Sequence, residues 1–495
     1  MSANLQIIGC QLDLARQMEN VAFIKSFIDF IVRNGYNCLV MYLEGRIRTK
    51  SFSAISPTDS YSPEEITELV NYAAAKQIEI MPVVSMLGHA DLFFKDPQYA
   101  ELAELRGGRE GRFSSHPHVF CPSLDATTEL LEQYLREVTE LFPSAYFHAG
   151  FDEAWDIGYC DLCKARLKNE TQANIFTKYL LKCHEIVTGK LGKRMLIWDD
   201  MFDLYPEALT VLPKDIIMCS WHYDMLIEKP FGHCGGPQTD KFALYDELGF
   251  EYMFAPATFS LRNVETLTQY AATGKPIGVL LTSWCMERDF LLSEYPTIAY
   301  GGRRWSGCDN AALPDSTIQE ITGCTKPEKI SIIKHVLSDR GITLSNNCQA
   351  YLRGPLSNAE YERKLFNATA RAVLGAGDKA TEQIDVVENI IIRLELEDLY
   401  FELRETMTEW FAATGKGISQ GQEESLIEKL SFLKDKRRRQ WEKHRKNVEP
   451  CSTDKYFDSL IKMVREAAGD SAGVEANLYV KFQRSCANVK FLVKY

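Results

Sequence analysis

The chain has 495 residues, 45% of them hydrophobic and 25% charged, which is enough for one barrel-sized unit and a further helical or mixed one. No stretch approaches the ~18 consecutive apolar residues of a membrane span, and a net charge of −12 argues against nucleic acid as the main partner. The 14 cysteines lie scattered singly, as at Cys10, Cys38, Cys219 and Cys285, and Met1-Ser2-Ala3-Asn4 runs into Leu5 without a charged n-region. Reduced thiols and a cytoplasmic location are expected.

To about residue 305, short β-rich runs alternate with helical patterns, the signature of parallel βα units. The run Ile7 to Leu14 carries Asp13 and leads to a helix from Val21 to Asn34, whose Phe23, Phe27, Ile28, Phe30 and Ile31 form an apolar stripe stopped by Gly35. Cys38 to Leu43 ends at Glu44, and Ser62-Pro63-Glu64-Glu65 then caps a helix with proline at its first position. Ile78 to Val84 precedes Gly88-His89 and a long loop to Leu124. A helix over Thr127 to Leu141 leads into Tyr146-Phe147-His148-Ala149-Gly150-Phe151-Asp152-Glu153-Ala154-Trp155. The remaining runs are Arg194 to Trp198 with Asp199-Asp200, Ile216 to Trp221 with His222-Tyr223, Tyr252 to Ala255, and Ile277 to Thr282 with Ser283-Trp284. Eight strands ending in polar or aromatic residues predict an α/β fold, a (β/α)8 TIM barrel over residues 1–310 with its site at the C-terminal face. An open doubly wound sheet would call for a glycine-rich phosphate turn after a strand; none is present, and no cofactor is expected.

Past residue 310 helical periodicity takes over, in Asn358 to Leu374, Glu382 to Ala412, Glu423 to Lys446 and Tyr456 to Ala468, and predicts an α-helical C-terminal domain over 311–495. The basic run Lys434 to Arg439 reads as a solvated helix face. The domain is a candidate homodimer interface or pocket wall, with Arg303-Arg304-Trp305 as its docking surface.

The chemistry concentrates around Asp152-Glu153. Alternation along a strand puts His148, Gly150 and Asp152 on one face, and the freedom of Gly150 lets Glu153 turn to the same mouth. Acids held together titrate as a pair, so one should move toward the protonated form that a general acid needs. Read locally, an arbitrary Asp-Glu is more often the N-terminal cap and first turn of the following helix. The tryptophans at or just past strand ends, Trp155, Trp198, Trp221 and Trp284, favour the catalytic reading, because indoles stack on the C–H faces of a sugar while acids bind its hydroxyls. Asp13 and Glu44, with Glu287 or Asp289, are candidates for those hydroxyl contacts; His89 and His148 either tune the acids or are structural. Cys160-Asp161-Leu162-Cys163 has the spacing of a metal knuckle, but only Cys183-His184 offers to complete it, so reduced thiols and no metal are expected.

His148-Ala149-Gly150-Phe151-Asp152-Glu153 resembles the H-x-G-x-D-E signature of glycoside hydrolase family 20, the β-N-acetylhexosaminidases. Tyr61-Ser62-Pro63-Glu64-Glu65-Ile66, Gly88-His89, Trp198-Asp199-Asp200-Met201, Trp221-His222-Tyr223 and Leu281-Thr282-Ser283-Trp284 support the likeness, which is most similar to the hexosaminidase D branch and spans roughly residues 5 to 305. The resemblance implies an exo-acting, retaining hydrolase of terminal β-linked N-acetylgalactosamine and N-acetylglucosamine, the former preferred. In its substrate-assisted mechanism the 2-acetamido oxygen attacks the anomeric carbon to form an oxazolinium ion. Glu153 would be general acid and then base, Asp152 would hold the acetamido N–H, Tyr223 would bond the acetamido oxygen, and Trp198, Trp221 and Trp284 would wall the pocket. Two departures stand out. Arg16 follows Asp13, where secreted members carry a sugar-binding arginine before the strand, and Tyr223 follows the sixth strand where many members use the seventh, here Ala255 to Phe259. The competing readings are a sugar-binding barrel without catalysis and a metal hydrolase using His148, Asp152 and Cys163.

Overall fold

A computed structural model describes residues 5–53, 57–112, 115–227, 233, 240–284, 291–307, 313–339, 355–376, 384–411, 417–446 and 454–469. Strands β1 (Ile7–Asp13), β2 (Cys38–Tyr42), β3 (Glu79–Val83), β4 (Tyr146–His148), β5 (Arg194–Trp198), β6 (Ile217–Trp221), β7 (Tyr252–Ala255) and β8 (Gly278–Leu281) form a closed barrel in sequence order. Every pair is parallel, and β8 returns to β1 in the register Ile7 opposite Gly278. Both faces of the strands are buried, which is why they read as continuous apolar runs. Tyr42, Met81, Val83, Leu196, Trp198, Ile217, Cys219, Met253 and Leu280 fill the interior, while the outward residues pack under the surrounding helices.

Local signals account for the helices that brace it. Asn20 caps Val21–Arg33 by accepting from the Phe23 N–H, and Ser62 and Glu65 form a reciprocal capping box on Pro63–Ala75. Strand β4 is shorter than the sequence suggests. It ends at His148, and Gly150, Phe151 and Glu153 then have φ of 70°, 77° and 51°. A left-handed loop, not strand alternation, therefore presents Asp152 and Glu153. Two close approaches make that loop possible. A Cβ on Gly150 would lie 2.5 Å from Ser85 Oγ, and one on Gly88 would lie 2.0 Å from the carbonyl oxygen of Asp152.

The helices beyond residue 313 share apolar packing with the barrel. Leu313, Ile318, Ile330, Ile333, Leu374 and Ile390 join its outer shell, whereas Leu399, Phe401, Leu430, Phe457 and Leu460 form a separate cluster. Arg303 links the end of Val21–Arg33 to helix Leu313–Thr322 through Asn34 Oδ1 (2.7 Å) and Glu320 (2.7 and 2.9 Å). Trp305 is buried, with Nε1 donating to Thr268 Oγ1 at 3.0 Å. A second junction lies far along the chain, where the end of helix Gln420–His444 meets the loop after β1. Lys446 N donates to Met18 O (2.7 Å), Arg445 pairs with Glu19 and donates to Gln17 Oε1 (2.6 Å), and Lys446 pairs with Glu65 of the capping box.

The basic run corrects one expectation. Lys434 pairs with Asp458 (2.7 Å), Lys436 with Glu395 (2.8 Å) and Arg438 with Asp454 (2.5 Å), and Arg437 is 2% exposed. Lys434, Lys436 and Arg438 pair with acids on neighbouring helices, while Arg439 stays exposed to solvent. Among the described residues no helix is long and apolar enough to cross a membrane.

Adding a methyl group at Gly88 forces backbone against backbone, so Gly88→Ala should lower stability by about 2 kcal/mol. Gly421, in helix Gln420–His444, has open space around its Cβ position, and Gly421→Ala should leave the melting temperature level or slightly higher. Thermal melts of both variants check this; equal melting temperatures would remove the constraint assigned to Gly88.

Candidate active site

The barrel mouth gathers side chains from strand ends around His89. Its Nε2 lies 3.2 Å from Asp152 Oδ2 and 3.2 Å from Glu153 Oε2, so one imidazole edge bridges the two acids. Asp152 is nearly enclosed at 8% side-chain exposure, whereas Glu153 opens to solvent at 42%. The second carboxylate oxygen of Asp152, Oδ1, is buried without a hydrogen-bond partner among the described residues. On its other side His89 Nδ1 lies 3.3 Å from Arg16 Nη2. Arginine can only donate, so this contact favours a bare Nδ1 with the hydrogen on Nε2. Burial works against a charged ring, but the two acids outweigh it and lift His89 well above the ordinary imidazole range. In either protonation state Nε2 presents an N–H to the acids.

Arg16 is the hub on the β1 and β2 side. It pairs with Asp13 Oδ2 (3.3 Å), approaches Glu44 Oε1 (3.9 Å) and lies over the rings of Tyr42 and Trp284 at 5.4 and 5.6 Å. Asp13 also accepts from the Arg16 backbone N–H at 3.2 Å and is buried, so it addresses the mouth through that guanidinium. Glu44 is 4% exposed, with φ of 48°. Burial pushes its carboxyl up to about 7 despite the charge of Arg16.

The pairing of acids differs from expectation. Burial alone would raise Glu153, but the hydrogen bond and charge of His89 prevail and hold it below the ordinary carboxylate range. The acid raised instead is Asp200, just past β5, by burial and then by the charge of Asp152. Asp200 Oδ2 accepts from Glu153 N at 2.9 Å and Oδ1 from Trp221 Nε1 at 3.3 Å, so it supports both the acid loop and an indole. Arg16 and Asp200 thus join the site although the sequence pattern does not mark either as a functional residue. Asp200 was visible only as the second acid of Trp198-Asp199-Asp200.

Three of the four tryptophans surround the mouth. Trp198 forms the floor, 1% exposed and 6.0 Å from the ring of Trp284; half-buried Trp221 lies 4.9 Å from Tyr223. Trp284 Nε1 donates to the Tyr223 hydroxyl at 2.6 Å, and Thr282 Oγ1 lies 3.2 Å from the same oxygen. Burial pushes the Tyr223 phenol far up, so it is neutral with its own hydrogen available. Trp155 packs against the outer apolar shell instead. His148 lies beneath the site, wholly buried, its ring 4.4 Å from Trp198 and its Nδ1 accepting from Gly150 N at 3.1 Å; burial drives it down to about 3. Glu287 and Asp289 fall outside the described residues. The metal constellation of His148, Asp152 and Cys163 is not assembled, because Cys163 belongs to a separate cluster with Glu104, Cys121 and Cys160.

Residues 8–229 match the profile of the glycosyl hydrolase family 20 catalytic domain. The chain is similar to human hexosaminidase D, 25% identical over 304 residues that cover 57% of this chain and 61% of that protein. It also resembles a β-hexosaminidase of Porphyromonas gingivalis, 27% identical over 227 residues, 40% of this chain and 29% of that protein. The chain thus spans less than two thirds of either relative. Among solved structures, a family 20 exo-β-N-acetylglucosaminidase of Vibrio harveyi in complex with N-acetylglucosamine superposes with TM-score 0.50 at 18% identity, over 67% of this chain and 58% of that one. A Flavobacterium johnsoniae chitobiase does so with TM-score 0.50 at 17% identity, over 98% and 78%. Both show the fold.

Folded Glu44 keeps its proton up to about 7, against 4.5 for an ordinary glutamate, so the stability it contributes is present below about 4.5 and lost as pH rises through 7. Glu44→Gln stays neutral throughout. Relative to wild type it should gain up to about 3 kcal/mol between pH 5 and 8. Denaturant melts across that range check it, and parallel pH profiles for the two proteins would show that Glu44 titrates normally.

Proposed function

We propose that the protein is an exo-acting β-N-acetylhexosaminidase working by substrate assistance, on the premise that residues 8–229 match the glycosyl hydrolase family 20 profile. The observation that carries the reading is the meeting of Asp152 and Glu153 at one nitrogen of His89, with the first enclosed and the second open. In this reading the exposed carboxyl of Glu153 reaches the glycosidic oxygen, protonates it as the bond breaks, and later takes a proton from water. Glu153 needs a proton for the first step, and His89, held above its usual range by the two acids, is the adjacent store. The unpartnered Oδ1 of Asp152 supports a role in accepting the acetamido N–H and stabilising the charge that develops on that group. Tyr223, fixed as an acceptor by Trp284, keeps a hydrogen to donate to the acetamido oxygen as it attacks the anomeric carbon; the product of attack is an oxazolinium ion, and the configuration is retained.

Arg16 and Glu44 are proposed to bind the ring hydroxyls, with Asp13 acting through Arg16, and Trp198, Trp221 and Trp284 to wall the ring and N-acetyl group. The proposed substrates carry a terminal β-linked N-acetylgalactosamine or N-acetylglucosamine, with the galactosaminide preferred as the likeness to hexosaminidase D implies. All described cysteines are free thiols, which supports a cytoplasmic location. The division at residue 310 and a homodimer through the helical segment, which exposes Tyr361, Leu365 and Phe432, stand as proposals of the same kind.

Turnover of aryl N-acetyl-β-hexosaminides tests the assignment. Glu153→Gln should lose roughly 10²–10⁴-fold in kcat with an unchanged melt, and kcat/KM should be higher for the galactosaminide. Absence of turnover by wild type, or equal turnover by the variant, overturns the enzyme; tight binding of a thiazoline analogue without turnover would leave a sugar-binding barrel.

A further inference from the structure

Behind the acid loop lies a buried cluster with no part in the sugar chemistry. Glu104, Cys121, Cys160 and Cys163 each turn one ligating atom inward, all within 4.8 Å of one another, and all four residues are fully enclosed. Two come from the long loop after β3, where an antiparallel bridge joins Ala103 to Phe120, the residues just before Glu104 and Cys121. The other two come from the chain just past Glu153. There Cys160 caps the short helix Asp161–Arg166, its Sγ accepting from Cys163 N at 3.3 Å.

The spacing suits a tetrahedral ion. Cys121 Sγ is 3.4 Å from Cys160 Sγ and 3.9 Å from Cys163 Sγ, and Cys163 Sγ is 3.4 Å from Glu104 Oε2. Zinc with Zn–S bonds of about 2.3 Å holds its sulfurs roughly 3.8 Å apart, so only small shifts are needed. The surroundings also suit thiolates. Ser123 Oγ accepts from Arg166 Nη1 at 3.0 Å and lies 3.0 Å from Cys163 Sγ, to which its hydroxyl can donate. Glu104 Oε1 takes the N–H groups of Gly158 (2.7 Å) and Cys160 (3.0 Å), leaving Oε2 for the sulfurs. Arg106 hydrogen-bonds the Cys121 side chain, which places a guanidinium beside the cluster where it favours thiolate sulfur.

We propose that Glu104, Cys121, Cys160 and Cys163 form a structural zinc site that pins the loop after Asp152-Glu153 to the loop after β3. Four protein ligands close the site, which makes it structural and not catalytic, and three sulfurs favour zinc over magnesium or calcium. Binding Zn²⁺ forms three Zn–S bonds and one Zn–O bond and releases the three thiol protons to solvent. Cys183-His184, the second pair that the sequence offers, lies apart from this cluster. Cys183 is buried elsewhere beside Tyr179, and His184 pairs with Asp215 at 3.0 Å.

The test uses the full chain, equilibrated with zinc under reductant and desalted, with metal measured by mass spectrometry. About one zinc per chain is expected for wild type and for Cys183→Ser, and less than about a tenth of that for the double variant Cys160→Ser/Cys163→Ser. Replacement by Co²⁺ should give wild type a thiolate-to-cobalt charge-transfer band and the d–d absorption of a tetrahedral centre. Those two wild-type measurements decide the matter even if the double variant fails to fold. Zinc-free wild type, zinc retained by a folded double variant, or a Cys121–Cys160 disulfide found by thiol counting of unreduced protein would each overturn the proposal. None of these readouts depends on turnover, so the site stands or falls apart from the glycosidase reading.

Discussion

The acid corner depends on two loops that touch backbone to backbone. Gly88 leaves no room for a side chain beside the Asp152 carbonyl, and Gly150 leaves none beside Ser85. With the loops this close, the chain after β4 turns through left-handed conformations at Phe151 and Glu153, which cost non-glycine residues of order 1–3 kcal/mol. Packing holds the turn. Phe151 is fully buried, with the rings of Phe176 and Tyr179 at 6.1 and 6.2 Å. Glu44 after β2 and His89 after β3 use the same backbone region. Three consecutive strand ends thus deliver a polar side chain through one kind of kink.

Charge runs through this frame in a definite order. Asp13 anchors Arg16, Arg16 faces His89, and His89 meets Asp152 and Glu153. The imidazole is thus held between the two acids and a guanidinium that never titrates. Asp200 could have spoiled the arrangement by adding a third negative charge under the acids. Burial instead raises it, and in its neutral form it supports the Glu153 backbone and the Trp221 indole without repelling either carboxylate.

What could be read from the sequence was what is encoded locally. Each strand is an apolar run closed by a polar or aromatic residue, and the doublet Asp152-Glu153 with its strand-end tryptophans is visible by eye, so barrel and candidate site emerge together. What was hidden depends on contacts between distant segments. Nothing in the spacing of Arg16 and His89 says that they touch, and the direction in which Glu153 shifts is decided by His89, not by its neighbour Asp152. The Cys160/Cys163 pair has its partners in Glu104 and Cys121 on another loop, too irregularly spaced to form a motif. The partners of Lys434, Lys436 and Arg438 are hidden for the same reason, because those acids sit on other helices.

The junction of Arg445 and Lys446 with Glu19, Gln17 and Glu65 orders events during synthesis. The loop after β1, which carries Arg16, emerges from the ribosome among the first segments, while its clasp emerges more than four hundred residues later. At roughly 5–20 residues per second, that loop waits tens of seconds for its last contacts. The barrel strands can close before then, but the side of the mouth built on Arg16 lacks its outer brace until the long helix Gln420–His444 has been made and docked.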